Sequence, residues 1–194
     1  MEIDSKEILY SILRAMDKDK VESSIASSPS KIPSIIEEIF ARSTKLLNTY
    51  TDYDKVKIYG NLIEALMHYL LTTVMIPSER KVKQDSIEID LVIPTLKQLQ
   101  IYPERTLVLY FPKSLDRNDI NTRKDRLLKV QPNQDNIWLV FSYYDGTIDL
   151  YREFTIFVPD DFVREPFKPL SSIIDEINLF VETNKIKSFR IFPS

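Results

Sequence analysis

Two uninterrupted apolar runs constrain this chain more than any other feature. They are Thr106-Leu107-Val108-Leu109-Tyr110-Phe111 and Ile137 to Tyr143, the second holding the only tryptophan, Trp138. A strand with one wet face alternates apolar and polar side chains, so a strand apolar at every position must be covered on both faces. Between the runs, Ser114 to Val130 is polar and charged, and Leu115, Ile120, Leu127 and Leu128 form only a thin helical stripe. Strand, helix and strand in that order imply a parallel pair joined by a right-handed crossover. Pro112 stops the first strand because it has no N–H for a ladder, and Pro132-Asn133 ends the helix.

The chain before these runs reads as helix. Asp4 and Glu7 have capping-box spacing, and Ile8, Leu9, Ile12, Leu13 and Met16 follow at helical period, up to a break at Ser27-Ser28-Pro29-Ser30. A second helix from about Ile32 carries Ile35, Ile36, Ile39, Phe40, Leu46 and Leu47. Tyr50-Thr51-Asp52 breaks it, and Asp52 or Asp54 caps a third, with Val56, Tyr59, Leu62, Ile63, Leu66, Met67 and Leu70 in a broad apolar stripe. After Pro77 the period changes. Lys81-Val82-Lys83 suggests a short strand, and Ser86 to Ile93 a longer one with Ile87, Ile89, Leu91 and Ile93 on one face and Glu88, Asp90 and Val92 on the other. Thr95 to Gln100 suggests a helical turn.

Downstream, Asp145-Gly146 signals a hairpin, and Ile148, Leu150, Phe154, Ile156 and Val158 alternate as its second strand. A helix carrying Leu170, Ile173, Ile174, Ile177, Phe180 and Val181 follows, then a short strand from Lys185 to Phe192. The expected fold is α/β (α+β): a mixed central β-sheet flanked by helices, with an N-terminal three-helix layer. Residues 1–50 form a helical layer packed on a core of residues 51–194, in one unit.

Composition removes several chemistries. Gly60 and Gly146 are the only glycines, which excludes a glycine-rich phosphate cradle. No cysteine is present, so thiol catalysis, iron–sulfur clusters and cysteine-ligated zinc are excluded. One histidine, His68, excludes any site that needs two imidazoles. The formal net charge of −3 argues against a uniformly basic coat, though not against a local basic face. No run approaches the roughly 18 apolar residues of a membrane span. The acidic start, Met1-Glu2-Ile3-Asp4, lacks the form of an export signal. Together these suggest a cytoplasmic protein.

Glu64 on the third helix, Asp90 in Ile89-Asp90-Leu91-Val92 and Lys113 just after the 106–111 strand resemble, in layout, the restriction-endonuclease-like (PD-(D/E)xK) nucleases, the group that includes archaeal Holliday-junction resolvases. The resemblance covers about residues 56 to 143. In that family a helix carrying Glu precedes a three-stranded meander with Asp on its second strand and Glu-x-Lys on its third. A helix and a parallel strand follow. The resemblance implies that Glu64 and Asp90 would hold Mg²⁺ or Mn²⁺ and that Asp90 and Lys113 would be catalytic, Lys113 assisting the attacking water. The third-strand motif reads Phe111-Pro112-Lys113, so Phe111 stands where the family has a metal-binding Glu. Glu88, two residues from Asp90 and about 7 Å away by strand rise, is the reserve carboxylate. The departure points to a catalytically degenerate member.

Charge on the 113–129 stretch adds a nucleic-acid candidate. Lys113, Arg117, Arg123, Lys124 and Arg126 could meet the phosphates of DNA or RNA, and Tyr143, Tyr144 and Tyr151 could stack on unpaired bases. Each candidate also has an ordinary structural reading. Glu64 could pair with Lys57 or His68, Glu88 and Asp90 could form a solvated strand face, and the charged helix could be laced by its own ion pairs. The alternative function is a non-enzymatic scaffold. The apolar load of helices 32–48 and 53–71 exceeds what one small sheet face covers, which suggests a homodimer or a protein partner through the N-terminal helices.

Overall fold

Asp17 sets the shape of the N-terminal region. It takes a left-handed conformation, φ 61°, between α1 (Ser5–Ala15) and α2 (Lys18–Ser27). The stretch expected to be one helix is therefore two. The computed structural model describes residues 5–48 and 52–186. The capping pair at Asp4, the break at Tyr50-Thr51 and the final strand from residue 187 onward lie outside the described residues. After α3 (Ile32–Leu47) and α4 (Asp52–Thr73) come the strands, so four described helices precede the sheet rather than three.

The sheet has six strands in sequence order: β1 (Glu79–Gln84), β2 (Ile87–Ile93), β3 (Leu107–Tyr110), β4 (Ile137–Val140), β5 (Thr155–Val158) and β6 (Lys168–Pro169). β1, β2 and β3 form an antiparallel meander, and β3 to β6 run parallel. α5 (Leu96–Ile101), capped by Thr95, joins β2 to β3, α6 (Arg117–Val130), capped by Asp116, joins β3 to β4, and α7 (Ile173–Thr183) is the last of the described helices. The expected mixed sheet and the parallel β3–β4 pair are both present. The Asp145-Gly146 hairpin is not. β4 and β5 are parallel, and a 3-10 turn over Thr147–Tyr151 carries the chain back between them. Gly146 supplies its positive φ, 79°, to start that turn instead of a two-residue hairpin.

Alternation along the central strands divides the core in two. Leu107, Leu109, Trp138, Val140 and Phe157 face a layer built from α1 to α4 and α7. Val108, Tyr110, Ile137, Leu139, Ile156 and Val158 face the side covered by α6. Strands apolar on both faces were required by their sequence, and both faces are covered. The face assignment expected for β2 fails, because Ile89 packs on the α6 side while Leu91 and Ile93 join the helical layer. Lys81 explains the switch: it lies between the Arg80–Leu91 and Val82–Ile89 pairs with φ 54° and interrupts the pleat beside Asp90.

Apolar side chains of α3 and α4, including Ile36, Ile39, Leu62, Ile63, Leu66 and Leu70, are buried within the chain itself. α1, α2 and α7 supply the cover that was expected from a second copy, because the N-terminal layer is deeper than three helices. No described helix is long and apolar enough to cross a membrane.

Gly146 tests the left-handed turn without steric complication, since a Cβ there would have no atom within 4 Å. Gly146→Ala should cost about 1 kcal/mol from backbone strain alone, and Gly146→Asn less, read as a shift of the urea midpoint at constant slope.

Candidate functional site

Glu64 is fully buried on α4 and faces the edge where β1, β2 and the segment after β3 meet. An ionised carboxylate taken out of water needs compensating charge, and both of its oxygens have it. Arg80 Nε on β1 donates to Oε1 at 2.5 Å, and Lys113 Nζ donates to Oε2 at 2.5 Å. Lys81 Nζ stands 4.0 Å from Oε1. Neither Lys57 nor His68, the partners an ordinary helix surface would supply, makes the close contacts.

Asp90 lies beside this pair. Its Oδ1 accepts from Lys113 Nζ and from Arg123 Nη2, each at 3.3 Å, and its Oδ2 accepts from the backbone N–H of Phe111 at 3.0 Å. That last bond follows from the sequence. Pro112 ends β3, the β2–β3 ladder stops at the Leu91–Leu109 pair, and the Asp90 side chain takes up the next buried N–H. Glu88 is more than half exposed and binds Lys83 at 3.0 Å and Arg123 at 3.4 Å, so it touches Asp90 only through the shared guanidinium. Those two cations, Lys83 foremost, hold its carboxyl below the usual carboxylate range. Tyr110, buried beneath Asp90, has its phenol pushed well up, first by burial and then by the Asp90 charge.

Glu64, Asp90 and Lys113 therefore come together, with Arg123 from the charged helix joining them. The other helix cations do not. Lys124 lies over the rings of Tyr151 and Phe154, at 5.9 and 5.7 Å, and pairs with Asp125, while Arg117 and Arg126 are exposed. Sequence reasoning passed over Arg80 and Gly60. Nothing in Glu79-Arg80-Lys81 marks Arg80 out from its neighbours. Gly60 carried a signal: a glycine inside a helix costs about 1 kcal/mol against alanine, and this one stands one turn before Glu64. A Cβ there would come within 2.8 Å of the Pro112 carbonyl oxygen and 2.9 Å of Lys113 Cγ. Only glycine lets the 112–113 segment come close enough for Lys113 to reach Glu64.

The donor set does not fit a hard divalent cation. Mg²⁺ takes oxygen ligands in a near-octahedral shell, but all four oxygens of Glu64 and Asp90 already accept from nitrogen. Phe111, in the third acidic position of the family, is a fully buried ring in the helical-layer core. Among the described residues no group of three or more His, Asp or Glu is arranged to hold a metal ion.

No protein-family model and no curated protein matches the sequence. Solved structures do resemble the fold. A restriction endonuclease PspGI–substrate DNA complex aligns with a TM-score of 0.59 at 16% identity, over 93% of this chain and 94% of that one. Metal-depleted Ecl18kI in complex with uncleaved DNA aligns with a TM-score of 0.60 at 11% identity, over 96% of this chain and 82% of that one. A second Ecl18kI complex, with modified DNA, gives 0.59 at 11% identity and the same coverage. The chain has a restriction-endonuclease-like fold. In this chain Glu64 on the long helix, Asp90 on the second strand and Lys113 after the third meet at one edge of the sheet.

Glu64→Gln would leave Arg80 and Lys113 facing a neutral amide in a largely buried pocket. We expect a loss on the order of 3 kcal/mol, measured by chemical denaturation, because both cations are only partly able to reach water. His68, half-buried with Nδ1 3.4 Å from Ser78 Oγ, has its pKa held below the ordinary 6.5 by burial first and then by Arg80. Its contribution to stability is complete above about pH 6.5 and is lost as pH falls through the lower folded value. His68→Gln should flatten that part of the acid limb in a pH series of denaturation midpoints.

Proposed function

We propose that this chain is a nuclease-fold protein that binds duplex DNA without cutting it. The observation that carries the reading is a charge count at one edge: Arg80, Lys81, Lys83, Lys113 and Arg123 share three carboxylates, Glu64, Glu88 and Asp90. On an acidic chain this edge is locally positive. An edge short of free carboxylate oxygen is unsuited to activating water through Mg²⁺ or Mn²⁺, yet its surplus cations suit an anionic backbone. Exposed Arg117 and Arg126 on α6 would extend the surface toward phosphates. The fold neighbours named above were captured with DNA, which supports duplex DNA over RNA as the polymer.

Lys113 and Arg123 have two roles in this reading. They neutralise Glu64 and Asp90 in the free protein, and their remaining N–H groups point a positive edge outward. Charge in the site is thus supplied by side chains that stay fixed, not by an exchangeable ion. Binding would draw on electrostatics and shape, with Arg117 and Arg126 as positioning contacts to phosphate.

Fluorescence anisotropy with a labelled 25-base-pair duplex should show binding that weakens steeply between 50 and 200 mM salt. Removing both Arg117 and Arg126 (to Ala) should lower the log–log salt slope by about 2. The same duplex should stay intact with Mg²⁺ or Mn²⁺. Metal-dependent cleavage that Asp90→Ala abolishes would make this an active nuclease, with Glu64 and Asp90 as metal ligands and Lys113 beside the water. Absence of both binding and cleavage would remove the nucleic-acid reading and leave the scaffold.

A further inference from the structure

The cations at the acidic edge are not equivalent. Arg80 and Lys113 are committed to Glu64, which is fully buried, so both belong to what lets α4 pack there. Arg123 has a different place. It donates through Nη1 to Glu88 Oε2 at 3.4 Å and through Nη2 to Asp90 Oδ1 at 3.3 Å, and 21% of its side chain is exposed. Ile120 and Leu127, about one turn to either side of it on α6, are buried in the core on that face of the sheet and fix the helix beside β2.

Two carboxylate oxygens from one strand thus converge on the volume that a single guanidinium fills. Mg²⁺ and related hard ions need only one or two carboxylates, with water completing the shell. Phe111 in the third acidic position therefore does not by itself keep an ion out. What stands in the way at this spot is positive charge already in place, since a divalent ion sharing the position would be repelled by it. Glu88 Oε2 meets Arg123, while its Oε1 meets Lys83, which is 65% exposed, in a surface pair of the kind that contributes little. Asp90 Oδ1 divides its two lone pairs between Lys113 and Arg123. Without Arg123, one lone pair of Asp90 and the Oε2 oxygen of Glu88 would face the same space. No buried charge would be orphaned: Asp90 would keep Lys113 Nζ and the Phe111 N–H, and Glu88 is more than half exposed.

We infer that Arg123 is a tethered counter-ion that closes a divalent-cation site formed by Asp90 and Glu88. This rests on the reading of the edge as one that works without metal, and names the group responsible. A side chain anchored on α6 holds the charge in place at any metal concentration, so the electrostatics of the edge do not depend on an ion that exchanges.

The test uses Mn²⁺ alone, without nucleic acid, and reads free Mn²⁺ by the room-temperature paramagnetic resonance of its aquo ion, which bound ion loses. The unaltered chain should leave the signal nearly intact. Arg123→Gln should bind one Mn²⁺ with half-saturation on the order of 1 mM, at least about tenfold tighter than the unaltered chain. Arg123→Lys, which keeps the charge, should restore the exclusion. Glu88→Gln or Asp90→Asn added to Arg123→Gln should abolish the gained binding. Thermal midpoints would verify folding, and Arg123→Met is a second neutral variant should Arg123→Gln not fold. Equal binding by the unaltered chain and Arg123→Gln overturns the inference, as does no binding by either, which would leave Lys113 and Arg80 as sufficient to exclude the ion. Binding by Arg123→Lys as tight as by Arg123→Gln, or binding indifferent to Glu88 and Asp90, overturns it too. Duplex anisotropy of the unaltered chain in chelator tests the DNA reading separately: absent duplex binding leaves the closed site standing, and Mn²⁺ binding by the unaltered chain removes the closed site while duplex binding stands.

Discussion

A carboxylate with no access to water organises this edge of the molecule. Glu64 is buried on α4 between two cations that come from elements far apart in the chain: Arg80 from β1 and Lys113 from the segment after β3. Each must be held by something else. Arg80 is placed by the antiparallel pairing of β1 with β2. Lys113 is placed by Pro112, which ends β3, and by Gly60, which leaves room for the segment against α4. The pleat interruption at Lys81 brings Asp90 and Arg123 into the same group. Replacing such a network by apolar side chains of equal volume is often neutral or stabilising. Removing a single member is different, because it leaves a buried charge without its partner.

The sequence showed some of this and hid the rest for physical reasons. Strands β3 and β4 and their α6 crossover were legible because a strand covered on both faces has no polar position to disguise it. Glu64, Asp90 and Lys113 were legible as a layout. The hairpin at Asp145-Gly146 was misread because a glycine at positive φ serves a 3-10 turn as well as a type I′ turn, and the dipeptide does not distinguish them. The break at Asp17 was hidden because a non-glycine residue at φ 61° leaves no compositional mark. Arg80 was invisible because its role depends on which face of β1 it occupies, and the left-handed residue next to it shifts that face.

The restriction-endonuclease-like layout and the donor set at its acidic edge have separate physical requirements. The layout needs a helix, a meander and a crossover strand, and the apolar pattern of this chain satisfies each. A divalent site needs carboxylate oxygens open to the ion, and Mg²⁺ completes its shell largely with water around one or two of them. Phe111 removes one position by pointing a buried ring into the helical-layer core. Arg123 then approaches Asp90 from α6, on the opposite side of the sheet, at hydrogen-bond distance. A guanidinium delivers one unit of positive charge through fixed N–H vectors and cannot act as a Lewis acid. A fixed cation of this kind can pair with an anion, but it does not polarise water as a metal ion does.

Residues 112 to 115 link this edge to the loop after β4. Pro112 and Lys113 pack on Gly60, Lys113 bridges Glu64 and Asp90, and the Ser114 carbonyl accepts the Tyr143 hydroxyl. Over these residues the chain passes from a charged cluster to the exposed Leu115 with no helix or strand between. The segment that delivers Lys113 to Glu64 has no ladder of its own, so its position depends on two uncharged contacts, the close approach to Gly60 on α4 and the hydrogen bond from Tyr143. The buried ion pair therefore rests on residues that carry no charge themselves.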